Sequence, residues 1–460
     1  MAEQPRETDD RVEDDYALDK SIVEKVLDAV EASDAGRLED LLDPLHAADI
    51  ADLLEQVSGT QRRELLSLWH AEIDGEVLSE LHEGLRAEVI SELPAKVLAE
   101  AIRDLESDDV VDLVEDLDHA DQQTVLNALG ASDRVAVEQA LAYPEFSAGR
   151  LMQSELVKAP EHWTVGETID HLRSEEDLPE QFYHVILTDP RMHPVGYVTL
   201  GRLLGSPRAT RLSAITEDTF RTIPATQDEE DVAYAFNQYH LISAPVVDEN
   251  DRLVGVITID DAMGVLDEEH DEDIKRLAGV GDESLSDSAL AIVFRRFPWL
   301  AVNLVTAILA SVVIAQFEAV IAQIVALAVL MPIVASMGGN AGTQTLTVAV
   351  RAIATRDLTG SNAARVLRRE ILASLVSGLV FAAIIGVVGV LWFGDMRLGY
   401  VIAAAMVINL AVAGFAGLLI PLALDKLGID PALASGAFVT TVTDVVGFFA
   451  FLGLAAVVLL

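Results

Sequence analysis

Near the end of this 460-residue chain, "TTVTDVVGFFAF" (440–451) places Asp444 in the middle of an apolar run, with no Lys or Arg close by in sequence. An ionised carboxylate costs at least ~2.5–3.5 kcal/mol at the centre of a membrane-spanning helix. It must therefore face water, a cation or a polar partner. Thr440, Thr441 and Thr443 offer hydroxyls as partners. No basic residue lies inside any apolar span, which disfavours an ion pair and favours an ion pathway. A second stretch, "MPIVASMGGNAGTQTLT" (331–347), combines Pro332, Gly338, Gly339 and Gly342 with the neutral oxygens of Asn340, Thr343 and Gln344. Irregular backbone at membrane depth is tolerated where it lines a water-filled cavity, and the expectation is a broken helix beside the pathway. A close-packed glycine face is the alternative. In "GIDPALASG" (428–436), Asp430 before Pro431 reads as a helix N-cap; a carboxylate at the mouth of the pathway is the functional alternative. The chain has no Cys, so all these groups offer hard oxygen ligands. Mg²⁺ prefers oxygen and gives up its water reluctantly. The residues alone specify a divalent or small hard cation.

The elements that must position these groups fall into two regions with different solvents. Formal net charge is −44, yet 51% of residues are hydrophobic. From Arg295 onward there are 9 of the 31 Lys+Arg and 7 of the 75 Asp+Glu, so the earlier part carries about −46 and the rest about +2. An acidic face of this kind repels nucleic acid and attracts cations. Only 6 of the 31 basic residues are Lys, which fits adaptation to a salt-loaded (halophilic) cytoplasm. The first 20 residues are acidic and polar, with no basic and apolar leader pattern. They read as a disordered tail.

Residues 21–148 show apolar spacings of three and four broken by polar turns, a superhelix of short helices. "HPVGYVTLGRLL" (193–204) and "RLVGVITIDDAM" (252–263) repeat a strand-then-helix pattern 59 residues apart. "HLISAPVVDENDRLVGVITIDD" holds two strands joined by the turn Asp248-Glu249-Asn250-Asp251; the corresponding "DPRMH" in the first copy is a looser match. The pair resembles tandem cystathionine-β-synthase-type (CBS) modules, over 149–209 and 210–266. An acidic connecting helix follows (267–296). Five apolar stretches come next, at about 298–317, 319–350, 368–393, 399–424 and 434–459, each long enough for a bilayer of ~30 Å. The second is interrupted by glycines. Arg295 and Arg296, then Arg351, Arg356, Arg365, Arg368 and Arg369, then Lys426 all fall on one side if the spans alternate. That side is cytoplasmic. The expectation is a plasma or inner membrane protein of several passes, with N-terminal domains inside and the C-terminus outside. The fold class is thus multi-domain: all-α superhelix, α/β CBS pair and α-helical membrane domain.

The order of these domains, with "PIVASMGGNAGTQ", "RAIATRDL", "DPALASG" and "TTVTDVVG", resembles the MgtE family of magnesium channels. The resemblance spans nearly the whole chain after residue 20. It implies a homodimer with its pore between two membrane domains. In that pore Asp444 of each copy faces one hydrated Mg²⁺, and backbone oxygens near Thr440 and Gly436 complete the site. It also implies sensing of cytosolic Mg²⁺ by acids that bridge the domains and hold the gate shut. Glu230, Asp261, Glu269, Glu272 and Asp273 fall on matching acidic positions, and Asp430 on a membrane-domain carboxylate facing the connecting helix. Asp108 and Asp112, at i and i+4, are the candidates in the helical domain. His240 and Gly264 stand where acidic residues are expected, so some regulatory sites are altered. CBS pairs often bind adenine nucleotides, but no strong phosphate cradle is visible. Taken together, the reading is a Mg²⁺-gated, Mg²⁺-selective channel in magnesium homeostasis. The alternatives are an ion-coupled transporter of divalent cations such as Mg²⁺ or Co²⁺ and a membrane-anchored metabolite sensor. An enzyme is disfavoured, since there is no nucleophile–base pair, phosphate loop or metal-ligand spacing of His.

Overall fold

The computed structural model describes residues 18–69, 73–115, 117, 119–175, 178–179, 181–217, 220–280 and 289–460. All but the last three residues of the expected acidic tail lie outside these. The chain packs as two compact units, residues 1–267 and 268–460.

The first unit opens with short helices: α1 (Lys20–Glu31), α2 (Ala35–Leu42), α3 (Ala47–Gln56), α4 (Gly59–Leu68), α5 (Gly75–Ser79), α6 (Glu83–Glu92), α7 (Ala95–Ala101), α8 (Ser107–Glu115), α9 (His119–Ala128) and α10 (Ala131–Ala140). Much of the acidity sits at their starts. Asp19, Asp34 and Asp74 cap α1, α2 and α5 through their side chains, where a carboxylate satisfies an orphan N–H and meets the positive end of the helix dipole. Ser58 and Gln61 form a capping box on α4. The apolar stripes of these helices merge into one core that runs from Val26 to Ala140.

A short helix, α11 (Ala148–Leu151), leads into two small α/β modules. The first contains β1 (Lys158–Pro160), α12 (Val165–Ser174), β2 (His184–Thr188), β3 (Pro194–Thr199) and α13 (Leu200–Gly205). The second contains β4 (Ile223–Pro224), α14 (Glu229–Tyr239), β5 (Ser243–Val247) and β6 (Leu253–Thr258), and runs straight into α15 (Ile259–Leu277). Each sheet pairs its first strand parallel to the second and the second antiparallel to the third. Over the β2–β3 and β5–β6 hairpins the repeat is exact to the residue. The register shifts at Leu187/Thr188 and again, 59 positions on, at Val246/Val247. His184 Nδ1 and Ser243 Oγ, the equivalent first residues of β2 and β5, hydrogen-bond to each other. The turn that looks looser in sequence is built identically. Asp189 Oδ1 accepts from the N–H groups of Arg191 and His193, and Asp248 Oδ1 from those of Asn250 and Arg252. The equivalent residues Met192 and Asp251 are both left-handed. These Asx turns need one aspartate, which "DPRMH" retains.

The second unit contains the end of α15, then α16 (Ala289–Ala315), α17 (Glu318–Gln323), α18 (Ala326–Ala354), α19 (Ala363–Phe393), α20 (Met396–Lys426) and α21 (Pro431–Val458). Five of these are long and apolar enough to cross a membrane. The bundle is centred on α20, whose Ile402, Ala405, Met406 and Leu410 pack with Leu330 and Val334 of α18 and Phe451 and Leu452 of α21. Two expectations are corrected here. The second apolar stretch breaks at Ile324–Val325, between α17 and α18, and the glycine-rich part is unbroken helix. Gly338 and Gly342, one turn apart, are packing glycines: a Cβ on Gly338 would lie 2.2 Å from Asn409 of α20, and one on Gly342 2.5 Å from Val439 of α21. Close approach of three helices, rather than unwinding, is what the glycines supply. The connecting helix also starts earlier than expected, at Ile259 inside the second module. It ends in a Schellman motif, with Gly279 left-handed and the N–H groups of Val280 and Gly279 bonded to Lys275 and Arg276 carbonyls. Residues 281–288 of the expected connecting helix lie outside the described residues.

Candidate ion pathway and regulatory acids

Asp444 sits at mid-length of α21, ~20 Å from its first residue at 1.5 Å per residue. It is half-buried and, among the described residues, has no hydrogen-bond or ion-pair partner. The neighbouring hydroxyls are already committed to their own helix: Thr440 Oγ1 donates to the Gly436 carbonyl at 2.7 Å, Thr441 Oγ1 to Ala437 at 2.5 Å and Thr443 Oγ1 to Thr440 at 2.9 Å. The carboxylate is therefore not explained by a local threonine partner. Thr440 and Gly436 lie about one and two turns before it. Gly339 of α18 faces Thr440, with 3.7 Å between the position of its Cβ and the Thr440 methyl. Asn340 and Gln344 do not join this face; they line a cleft on the far side of α18, against α19. Pro332 is exposed within α18 and breaks nothing.

Asp430 caps α21, accepting from the Ala432 N–H at 2.8 Å, with Pro431 at the first helical position. Its other oxygen takes a hydrogen bond from Arg276 Nη1 of α15 at 2.9 Å, while Arg276 Nη2 lies 2.5 Å from Glu272. The connecting helix and Asp430 thus meet through a guanidinium that stands between their acids. Beside them Asp273 is pushed above the usual carboxylate range, first by burial and then by Asp430, with Arg276 opposing. The end of α15 is seated in the bundle: Leu277 packs on Leu346, Val350, Ala432 and Val439, and its carbonyl is 3.7 Å from where a Cβ on Gly436 would stand. Glu269 shares the Glu272–Asp273 face of the helix.

In the first unit the helical domain meets the second module through acids. Asp108, buried at the start of α8, hydrogen-bonds Asp261, near the start of α15. Burial is the largest cause of both shifts. It lifts Asp261 to about 6 and Asp108 well above the carboxylate range. A hydrogen bond between two carboxyl groups needs a proton between them, and Asp261 Oδ2 also accepts from the N–H and hydroxyl of Thr258. Glu106 and Asp109 rise to about 7, from burial first and then from neighbouring acids, among them Glu155 and Asp260 for Glu106 and Asp261 for both. Glu155 is held by the backbone and hydroxyl of Ser107. Sequence reading missed Asp260, which adjoins Asp261 in the chain, and Glu106, Asp109 and Glu155, which only the packing of α8 gathers near it. Asp112 does not join this cluster; Arg86 Nη1 takes it at 2.7 Å. Glu230 lies in the acidic first turn of α14. His240 ends that helix in a left-handed conformation, and Gly264 would point any side chain into open space. Among the described residues no three acidic or imidazole groups converge tightly enough to chelate a bare ion. A cation here would rely on few direct ligands and its own waters.

The family model of the MgtE divalent cation transporter matches residues 331–454, that of the MgtE intracellular N domain residues 45–146, and that of the CBS domain residues 212–268. The magnesium transporter MgtE of Enterococcus faecalis is 35% identical over 320 residues, 70% of this chain and 71% of that one. The chain belongs to the MgtE family. The MgtE of Thermus thermophilus is 34% identical over 326 residues, 70% of this chain and 72% of its own. A solved structure of the cytosolic domain of the Mg²⁺ channel MgtE in complex with ATP matches 53% of this chain and 99% of that one, at 29% identity and a TM-score of 0.49. The MgtE transporter model covers α18 through most of α21, and so contains Asp444, Asp430 and the glycine face. This MgtE chain is a multi-pass membrane protein whose N-terminal domains are cytosolic.

Proposed function

We propose that this protein is a Mg²⁺-selective channel for magnesium uptake, working as a homodimer and closed by cytosolic Mg²⁺. Family membership supports magnesium transport. The observation that carries the site is Asp444, a mid-helix carboxylate that no described group of its own chain neutralises. Two copies facing one pore would hold a hydrated cation through its waters, which suits an ion that dehydrates reluctantly. The Gly436 and Thr440 carbonyls each accept a threonine hydroxyl besides the helical N–H four residues on, so both lone pairs of each are in use, and a water of the ion's shell would take the place of the hydroxyl there. Closure follows from the acids. Glu106, Asp108, Asp109 and Asp261 repel when ionised, and Mg²⁺ between them favours the packed form. Glu269, Glu272, Asp273 and Asp430 do the same at the end of the connecting helix, with Arg276 as a built-in partial substitute. A ligand shifts such an equilibrium only by its differential affinity for the two states. In this orientation the C-terminus is outside. Adenine nucleotide at the CBS pair stays part of this reading.

The test is Mg²⁺ binding and selectivity of Asp444→Asn in liposomes. Loss of high-affinity Mg²⁺ binding, with weakened discrimination or lost transport, is expected. Unchanged affinity and selectivity would remove Asp444 from the pore.

A further inference from the structure

The membrane unit holds another carboxylate, near the cytoplasmic end of its third span, that the account above does not use. Glu370 lies in the second turn of α19, and its Oε1 accepts a hydrogen bond from Thr345 Oγ1 of α18 at 2.8 Å. The two residues close one end of a cleft of about 210 Å³ between α18 and α19, floored by Leu410 of α20. Half of its lining is polar: Asn340, Gln344, Thr345, Glu370, Ser374 and Ser377. From Glu370 to Phe381 the cleft follows α19 for ~16 Å, about half of a bilayer core. The arrangement is built into the packing. A Cβ on Gly414 would lie 2.0 Å from Ser374 Oγ, so only glycine lets α20 come this close to the α19 wall. Likewise Thr345 is buried against Gly417.

We propose that this cleft is a second cation site of the membrane unit, holding one hydrated divalent cation against Glu370. A half-buried carboxylate at the end of a span still calls for a partner, and one threonine hydroxyl leaves most of its lone pairs unmet. One water needs only ~10–15 Å³ of such a cavity, so a cleft of about 210 Å³ admits several and an ion there can keep water around it. The other polar walls are neutral oxygens and amides, which suit contact through water. A phosphate or other anion would be repelled by Glu370, and lipid tails would strand the polar walls. Arg368 and Arg369 are exposed and turn roughly 200° and 100° away from Glu370 around the helix. Glu370, Ser374 and Ser377, by contrast, share one stripe. This site is distinct from Asp444: Gly339 faces the Asp444 helix, whereas Asn340 and Gln344 face the cleft. The proposal rests on the magnesium-transport reading for the identity of the ion.

The chain has no cysteine, which allows a direct test in the full-length protein in liposomes. Ser377→Cys is exposed to a water-soluble cationic thiol reagent, with Mg²⁺ itself as the protecting ligand and ionic strength held constant. The expected result is ready modification that Mg²⁺ slows, about elevenfold when Mg²⁺ is at ten times its dissociation constant. Protection should disappear when Glu370→Gln is added and persist when Asp444→Asn is added instead. Modification without Mg²⁺ protection would mean a merely wet cleft. No modification would mean that lipid or a second copy covers it. Protection that survives Glu370→Gln, or vanishes with Asp444→Asn, would assign the effect to the pore. Each of these overturns the proposal. Mg²⁺ flux through the parent protein in the same vesicles tests transport separately, so failure of the cleft and failure of the transport reading are told apart.

Discussion

Arg276→Gln should loosen the end of the connecting helix in the absence of Mg²⁺ and leave the Mg²⁺-bound form intact. The guanidinium bonds Asp430 at 2.9 Å and Glu272 at 2.5 Å, so it ties α15 to the start of α21. A hydrogen bond to a charged group contributes ~1.5–3 kcal/mol. Here the Arg276 and Asp430 side chains are 31% and 26% exposed, so solvent screening puts the effect near the lower end, about tenfold in the docking equilibrium. Removing the cation also leaves Glu272, Asp273 and Asp430 facing one another. A divalent ion then has more to neutralise, and saturating Mg²⁺ should restore docking. The assay is protection of the connecting segment from protease, titrated with Mg²⁺ at one fixed KCl concentration so that screening stays constant. The expected curve starts lower than the parent at zero Mg²⁺, by about that tenfold factor, and reaches the same plateau. An unchanged starting level would refute the view that Arg276 substitutes for a metal ion.

Three further outcomes follow from particular contacts. Glu106 and Asp109 titrate near pH 7 in the folded protein, above their unfolded values, so in the absence of divalent ions they stabilise the α8–α15 junction most fully at low pH, and that stability is lost as pH rises from about 4 through 7. Mg²⁺ binding there must expel protons; calorimetry of the parent in two buffers should show proton release near pH 7 that shrinks in Glu106→Gln/Asp109→Asn, and no release would exclude these groups as ligands. Gly338→Ala should destabilise the membrane unit by ~1–3 kcal/mol through overpacking on Asn409, and a thermal midpoint equal to the parent's would show that the helices separate at no cost. Deleting residues 1–270 should leave an assembled membrane unit without inhibition by cytosolic Mg²⁺, checked by flux; inhibition that survives would place the sensor in the membrane unit.

Asp444 is legible in sequence because a carboxylate inside an apolar run has no local explanation. The duplicated modules are legible for a similar reason, since their 59-residue spacing carries strands, bulge and Asx turn together. The glycine stretch is not: Gly338 and Gly342 suit either an unwound segment or a tight crossing, and only the positions of Asn409 and Val439 decide between them. The junction acids are hidden by abundance. With 75 acidic residues in the chain, Glu106 and Asp109 look like any solvated face until burial raises their affinity for protons. Arg276 carries no signal at four residues from Glu272, where it reads as an ordinary helix pair. Glu370 is masked by Arg368 and Arg369, which make it look like part of a charged helix end.

Mg²⁺ flux into liposomes, with and without Mg²⁺ on the side of the acidic domains, tests the central claim most directly. The account predicts flux down a Mg²⁺ gradient without any Na⁺ or H⁺ gradient, falling as Mg²⁺ is raised on the acidic side. Flux that strictly requires a Na⁺ or H⁺ gradient, or that ignores Mg²⁺ on that side, would contradict it.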